Sequence, residues 1–257
     1  MSLSAASDPS TAPVLLVLDT ATERLHVGLC ADGATWVRDL PGGAQASAQL
    51  LPVLQTLLRE AGLGWHQVQA IGFGRGPGAF TGLRTACSVT QGLALGLGCP
   101  VLSIDTLMAV AEDARQQAAS AGEPPLAPED ELWVLQDARM GELYVGAFRW
   151  LGSAWQVAQP PALWPQDEPR RRWAQAGTPV MVCGNALSAC AQALSDLPAL
   201  RPLATDAAPR GEALLALAQR AWAHGEAIDA ALALPTYVRD KVAQTTAERQ
   251  APSLRQA

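Results

Sequence analysis

Residues 14–38 read VLLVLDTATERLHVGLCADGATWVR. Val14 to Leu18 is an unbroken apolar run of strand length that stops on the polar cluster Asp19-Thr20-Ala21-Thr22-Glu23. Leu25-His26-Val27-Gly28-Leu29-Cys30 then alternates as a half-buried strand does, and Asp32-Gly33 makes a tight turn into Ala34–Arg38. The stretch is a three-stranded antiparallel meander. Outward from it, Leu50, Leu51, Leu54, Leu57, Leu58 and Ala61 follow helical spacing over Ser47–Ala61, and Gly62 closes that helix. A fourth strand over Val68–Phe73, a glycine-rich loop from Gly74 to Gly82 and a helix over Leu83–Gly96 come next. A short strand over Val101–Ile104 and a helix capped by Asp105 and running to Ala119 complete the half.

A meander followed by α, β, α, β, α is the ribonuclease-H-like order used by the actin-like ATPases, so a two-lobed α/β fold with a mixed sheet flanked by helices in each lobe is expected. Periodicity stops over Gly122–Pro128. The second half restarts with strands at Leu132–Gln136 and Leu143–Phe148, a Pro/Trp-rich stretch from Pro160 to Trp173 and a strand at Val180–Cys183. Helices at about Ala186–Leu194 and Gly211–Ala223 follow. The expected organisation is a tail over 1–13, an N-terminal lobe over 14–121, a C-terminal lobe over 122–242 and a tail over 243–257.

Composition excludes a good deal. With 18 basic and 24 acidic residues the net charge is −6, and Lys241 is the one lysine. An acidic chain does not grip nucleic acid unaided, because phosphate binding runs on clustered positive charge. Lys241 sits between Asp240 and Val242, so a Walker A loop is out. His26, His66 and His224 are scattered and form no zinc helix. No serine has the flanking glycines of a nucleophile elbow, and the glycines of 72–82 never fall as GxGxxG. Five cysteines without a CxxC read as small buried hydrophobes in a reducing compartment. No apolar run is long enough to span a bilayer and the N-terminus lacks a signal-peptide pattern, so a cytoplasmic protein is expected.

The most distinctive segment is GRGPGAFTGLR, residues 74–84. Its glycines suit either a tight crossover that needs close packing or a loop that touches phosphate or a partner; Thr81 is placed to cap the next helix. Together with Leu18-Asp19-Thr20-Ala21-Thr22, Gln91-Gly92-Leu93-Ala94, Asp137-Ala138-Arg139-Met140-Gly141-Glu142 and Tyr237-Val238-Arg239, this loop resembles the bacterial TsaB (YeaZ) family, in order from about Val14 to Val242.

The resemblance implies an actin-like, non-catalytic subunit of tRNA threonylcarbamoyladenosine biosynthesis with no catalytic residue of its own. It implies as partners the larger transferase paralogue TsaD and the small ATPase TsaE, with tRNA reached only through the complex. It also implies docking through the first two helices, here Ser47–Ala61 and Thr81–Leu97. The expected partner-facing residues are Leu50, Leu51, Leu54, Leu58, Gly76, Pro77, Gly78, Phe80, Thr81, Gly82 and Arg84. The paralogue's metal-binding histidines correspond here to Thr106 and Val110, so no metal site is implied, and Ala46 stands where the family often has His.

Asp19 is the one nucleotide-site candidate, at the position where actin-like ATPases hold hydrated Mg²⁺. Val182-Cys183-Gly184-Asn185-Ala186 offers a single glycine for the second phosphate loop, which favours a turn-capping role for Asp19. No cofactor is expected for the isolated chain, though a nucleotide at the complex interface remains open. Asp137–Glu142 reads as a hairpin with Arg139 paired to an acid and Gly141 left-handed. An enzyme of the same fold (ATPase, kinase or glycoprotease) and a functional homodimer are the alternatives.

Overall fold

The computed structural model describes residues 12–194 and 200–239; the expected tails lie outside them apart from residues 12 and 13, as does Lys241. The first sheet is built from β1 (Leu15–Asp19), β2 (Arg24–Ala31), β3 (Ala34–Pro41), β4 (Ala70–Gly74) and β5 (Val101–Ile104), in the order β3-β2-β1-β4-β5. The meander β1–β2–β3 is antiparallel, with Leu15 opposite Cys30, and turns at Asp32 and Gly33, both at positive φ. β4 joins β1 in parallel, Leu16 beside Ile71. The second sheet repeats this plan with β6 (Leu132–Arg139), β7 (Glu142–Trp150), β8 (Trp155–Pro165), β9 (Val180–Cys183) and β10 (Leu200–Ala204), ordered β10-β9-β6-β7-β8. Both halves therefore have the ribonuclease-H-like order, and the two-lobed fold is as the meander implied.

Seven α-helices pack around the sheets among the described residues: α1 (Ala46–Glu60), α2 (Phe80–Leu97), α3 (Thr106–Ser120), α4 (Glu168–Trp173), α5 (Ala186–Ala189), α6 (Ala191–Leu194) and α7 (Gly211–Ala223). The alternation of β1 sorts them. Leu16 and Leu18 point to a core shared with Leu50, Leu54, Leu57 and Leu58 of α1 and Ala86 and Ala94 of α2. Leu15 and Val17 point the other way, to Leu214, Leu215 and Ala218 of α7. In the second sheet, Leu132 and Val134 meet Leu107, Val110 and Ala111 of α3, while Leu135, Val145 and Val182 meet Trp164, Trp173 and α5–α6. The layers run α1/α2, sheet, α7/α3, sheet, α4–α6. The last helix of the first half thus packs on the second sheet, and the last helix of the second half on the first.

Two expectations are corrected. The Pro/Trp-rich stretch holds strand β8 at a sheet edge, where Pro160 and Pro161 cost no ladder bond and blunt the open side. β10, with Pro202 at the opposite edge, is a strand the sequence did not announce. Among the described residues no helix is long and apolar enough to cross a membrane.

Candidate functional site

A cleft of about 850 Å³ opens between the lobes. Its first-lobe wall is the β1–β2 turn and the loop that leads from β4 into α2; its second-lobe wall is the β6–β7 hairpin, faced by residues 236–239. The loop is held by bonds to segments distant in sequence. Ala79 N–H donates to the Ala21 carbonyl at 2.7 Å, the Thr20 hydroxyl to the Gly82 carbonyl at 2.6 Å, and the Tyr144 hydroxyl reaches across to the Gly78 carbonyl at 3.2 Å. A Cβ at Gly82 would overlap the Thr20 carbonyl, and one at Gly78 would lie 2.5 Å from that of Ala21. These glycines are there for close packing of two backbone segments.

Asp19 is fully buried and does not line the cleft. One carboxylate oxygen accepts the Ala21 N–H at 2.7 Å, the other the Thr106 hydroxyl at 2.8 Å, and Thr106 accepts the Gly76 N–H at 3.1 Å. Burial pushes the Asp19 carboxyl up to about 6, against the pull of those two hydrogen bonds. Asp105 caps α3 through the N–H groups of Leu107 and Met108, and burial raises it to about 6 as well.

The cleft's charges are already matched. Of its lining arginines, Arg24 pairs with Asp39 at 2.6 Å, Arg239 with Glu142 at 2.5 Å and Arg210 with Asp206 at 3.0 Å and with Asp113. Arg139, at φ 64°, pairs with Asp137 and, across the cleft, with Glu23; Gly141 beside it is at φ 74°. His26 is 1% exposed with Nδ1 3.3 Å from Asp39, and burial, reinforced by Arg210 and Arg24, lowers it to about 4, so the ring is neutral at pH 7. An incoming phosphate would have to break an existing ion pair to gain an arginine. Among the described residues no group of three or more His, Cys, Asp and Glu is arranged to hold a metal ion.

Outside the cleft, α1 and α2 present the free face of the first lobe. Leu51 on α1 and Leu95 on α2 are 46% and 65% exposed. Ser88 on α2 is exposed as well, and at Gly92 and Gly96 an added Cβ would meet nothing within 4 Å. Arg84 stacks 3.9 Å over Phe80 at the edge of this face.

The family described as "TsaD: tRNA N6-adenosine threonylcarbamoyltransferase" matches residues 43–247. Over 237 residues the chain is 28% identical to the tRNA threonylcarbamoyladenosine biosynthesis protein TsaB of Escherichia coli, covering 89% of this chain and 96% of that one. Two solved structures from Pseudomonas aeruginosa cover 88% of it. One, described as similar to peptidase YeaZ, is 34% identical with a TM-score of 0.75 over its full length; the other, YeaZ, is 36% identical with a TM-score of 0.72 over 99% of its length. The chain belongs to the TsaB (YeaZ) family.

For a TsaB-family chain, the structure redistributes the residues expected to face a partner. Leu50 and Leu54 are fully buried and Leu58 is 2% exposed, all in the first-lobe core, so they are corrected to core residues. A leucine stripe at i, i+4, i+8 is one face, and here that face is the sheet side. Gly76 and Pro77 are buried, Gly78 and Gly82 are pressed against the β1–β2 turn, and Phe80 faces the cleft. These five shape the loop and the cleft wall it forms. Leu51, Thr81 and Arg84 are exposed. Thr81 makes no cap; the α2 N-cap is Ala79, without a side-chain bond.

Sequence reasoning also missed Glu112 and Asp113, buried acids that tie α3 to its neighbours. Glu112 accepts from Arg115, Arg220 and Trp155, and Asp113 from Arg210 and the Ala208 N–H. The signal was available: two adjacent acids among alanines, in the middle of a helix both sides of which are covered.

Proposed function

We propose that the chain is an accessory subunit of the assembly that forms N6-threonylcarbamoyladenosine in tRNA, docking on and organising the TsaD transferase without performing the transfer. Its relatives' names supply the pathway. The observation that carries the accessory role is the self-satisfied cleft: each of its arginines is engaged by a carboxylate, and Asp19 is spent on Ala21 and Thr106. The positions that correspond to the transferase's metal-binding histidines are Thr106, committed to Asp19 and Gly76, and Val110, sealed in the second core.

The docking face is the exposed side of α1 and α2, with Leu51 and Leu95 as its apolar centre and Arg84 on its rim. The small residues Ser88, Gly92 and Gly96 let a partner helix approach α2 closely, which suits two helix pairs meeting as a four-helix interface. TsaE joins the same assembly in the cytoplasm, any nucleotide sits at the interface between subunits, and tRNA is reached through the complex, consistent with a net charge of −6.

The test is a threonylcarbamoylation assay on tRNA with each subunit omitted in turn. No modification by this chain alone, and a large loss when it is left out, are expected. Turnover by the isolated chain, or undiminished modification in its absence, overturns the proposal. A native-mass measurement separates the homodimer reading: a dimer that persists in excess transferase counts against docking through this face.

A further inference from the structure

The segment after α7 returns along the cleft and fastens to both lobes within residues 233–239. Ala233 is buried, and its carbonyl accepts from Gln91 Nε2 at 3.0 Å and from the Cys87 thiol at 3.2 Å, both on α2. Three residues on, the Thr236 N–H donates to the Arg75 carbonyl at 2.6 Å, and the Thr236 carbonyl closes over Gly76, where a Cβ would lie 2.8 Å away. Tyr237 lays its ring against Phe80, 5.3 Å between centroids, and accepts from Arg84 Nε at 3.3 Å. All of these anchors are in the first lobe. Val238 then packs against the second-lobe core, and Arg239 donates to the Ala138 carbonyl at 2.9 Å and to Glu142 at 2.5 Å.

We infer that residues 233–239 are a latch that fixes the angle between the two lobes and couples it to the seating of the glycine-rich loop and the start of α2. An extended chain gives at most ~3.3–3.6 Å per residue, so the single residue between the Tyr237 and Arg239 anchors, Val238, leaves little slack for the lobes to part. One of the anchors must break first. The first-lobe end is a ring stack under a guanidinium; the second-lobe end is a charge-assisted pair with a side chain only 16% exposed. Of the other ties across the cleft, Glu23 with Arg139 is exposed at both ends and screened by solvent, and the Tyr144 hydroxyl reaches the Gly78 carbonyl through one neutral hydrogen bond at 3.2 Å, so neither holds the angle by itself.

The inference concerns the isolated chain, so it stands or falls separately from the docking proposal. The test is amide hydrogen exchange on the full chain carrying Arg239→Ala or Tyr237→Ala, two changes at side chains outside the lobe cores. Arg239→Ala cuts the second-lobe anchor, yet is expected to speed exchange at least tenfold at Arg75 and Ala79, whose N–H groups are bonded within the first lobe to Ile104 and Ala21. Tyr237→Ala is expected to do the same at Asp137 and Arg139 in the second lobe, bonded to Asn185 and Asp137. Amides of β1 and β6 should stay unchanged in both. Acceleration confined to the lobe that was cut would reduce the segment to two local contacts and overturn the latch. Small-angle scattering supplies a second readout: a larger radius of gyration in both variants is expected, and an unchanged radius in both refutes it.

Discussion

The indole N–H of Trp155 donates to a carboxylate oxygen of Glu112 at 2.8 Å, joining the edge strand of the second sheet to the helix that ends the first half. Glu112 is fully buried. It also takes a bidentate pair from Arg115, at 2.8 and 2.9 Å, and a bond from Arg220 of α7 at 3.1 Å, while both guanidiniums stack on Trp150. One carboxylate thus ties α3, α7, β7 and β8 together. Burial pushes its carboxyl up, but the hydrogen bonds from Arg115, Arg220 and Trp155 outweigh burial and hold it near 2. Because the folded value lies below the ordinary value of 4.5, the stability it contributes is fully present above about pH 4.5 and is lost as pH falls toward 2. Glu112→Gln should cost about 3 kcal/mol or more, since it leaves two partly buried arginines short of their counter-charge. Urea unfolding at pH 7 measures this, and a loss below about 1 kcal/mol would contradict it.

Asp19 has the opposite sign. Its carboxyl is raised to about 6 from an ordinary 3.8, so its favourable contribution is present below about pH 3.8 and is lost as pH rises through 6. A displacement of that size corresponds to about 3 kcal/mol. Asp105 acts in the same direction over the same window, whereas His26, lowered to about 4 from 6.5, stabilises above 6.5 and loses that effect as pH falls toward 4. The comparison that isolates Asp19 is the wild type against Asp19→Asn. The variant's stability relative to wild type should improve between about pH 4 and pH 6 and level off above that, followed by thermal unfolding. A pH-independent difference would place the charge of Asp19 outside the folding equilibrium.

Burial separates the leucines of α1. Leu54→Glu puts an unpaired charge in the first-lobe core and should unfold the chain, with loss of the cooperative melt. Leu51→Glu and Leu95→Glu change exposed side chains and should leave circular dichroism and the melting temperature within experimental scatter, while lowering TsaD capture at least tenfold in a pull-down. Capture unaffected by both would move the docking face off α1 and α2.

Two glycines of the same helix should respond in opposite ways. Gly82→Ala drives a methyl into the Thr20 carbonyl, which sits on backbone and cannot swing aside, so a loss of several kcal/mol is expected by chemical denaturation. At Gly92 a methyl enters open space, and the gain in helix propensity should stabilise the isolated chain by about 0.5–1 kcal/mol. If a partner helix packs closely there, Gly92→Ala also weakens the complex. Stabilisation with full affinity would show that the partner stays clear of that turn.

The first lobe was legible because its elements carry complete local signals: the run Leu15–Leu18, the Asp32-Gly33 turn, the Asp105 cap and the period of α1. Those signals describe which residues are apolar and how the chain turns. They do not say which surface covers them. Leu50 and Leu51 are neighbours in sequence and 100° apart on the helix, and only the position of the sheet decides that one is core and the other surface. The second lobe was harder because prolines mark β8 and β10, and an edge strand tolerates what an interior strand forbids. The cleft's chemistry was partly visible in the Asp137–Glu142 hairpin. The ties that match its charges join residues far apart in the chain, Arg210 with Asp113 and Arg139 with Glu23, and no spacing rule reaches that far.

The packing of α7 on the first sheet has a consequence for how the chain is made. Synthesis runs from the N-terminus, so β1 to β5 leave the ribosome long before residues 211–223 exist. During that interval Leu15, Val17, Leu102 and Ile104 have no lid, and α3 has no sheet to lie on until β6 emerges. The nascent first half is therefore a sticky intermediate that waits for its own C-terminal helix. A truncated product ending anywhere between 121 and 210 inherits that bare face as a candidate for chaperone capture or degradation, however completely its own five strands have paired.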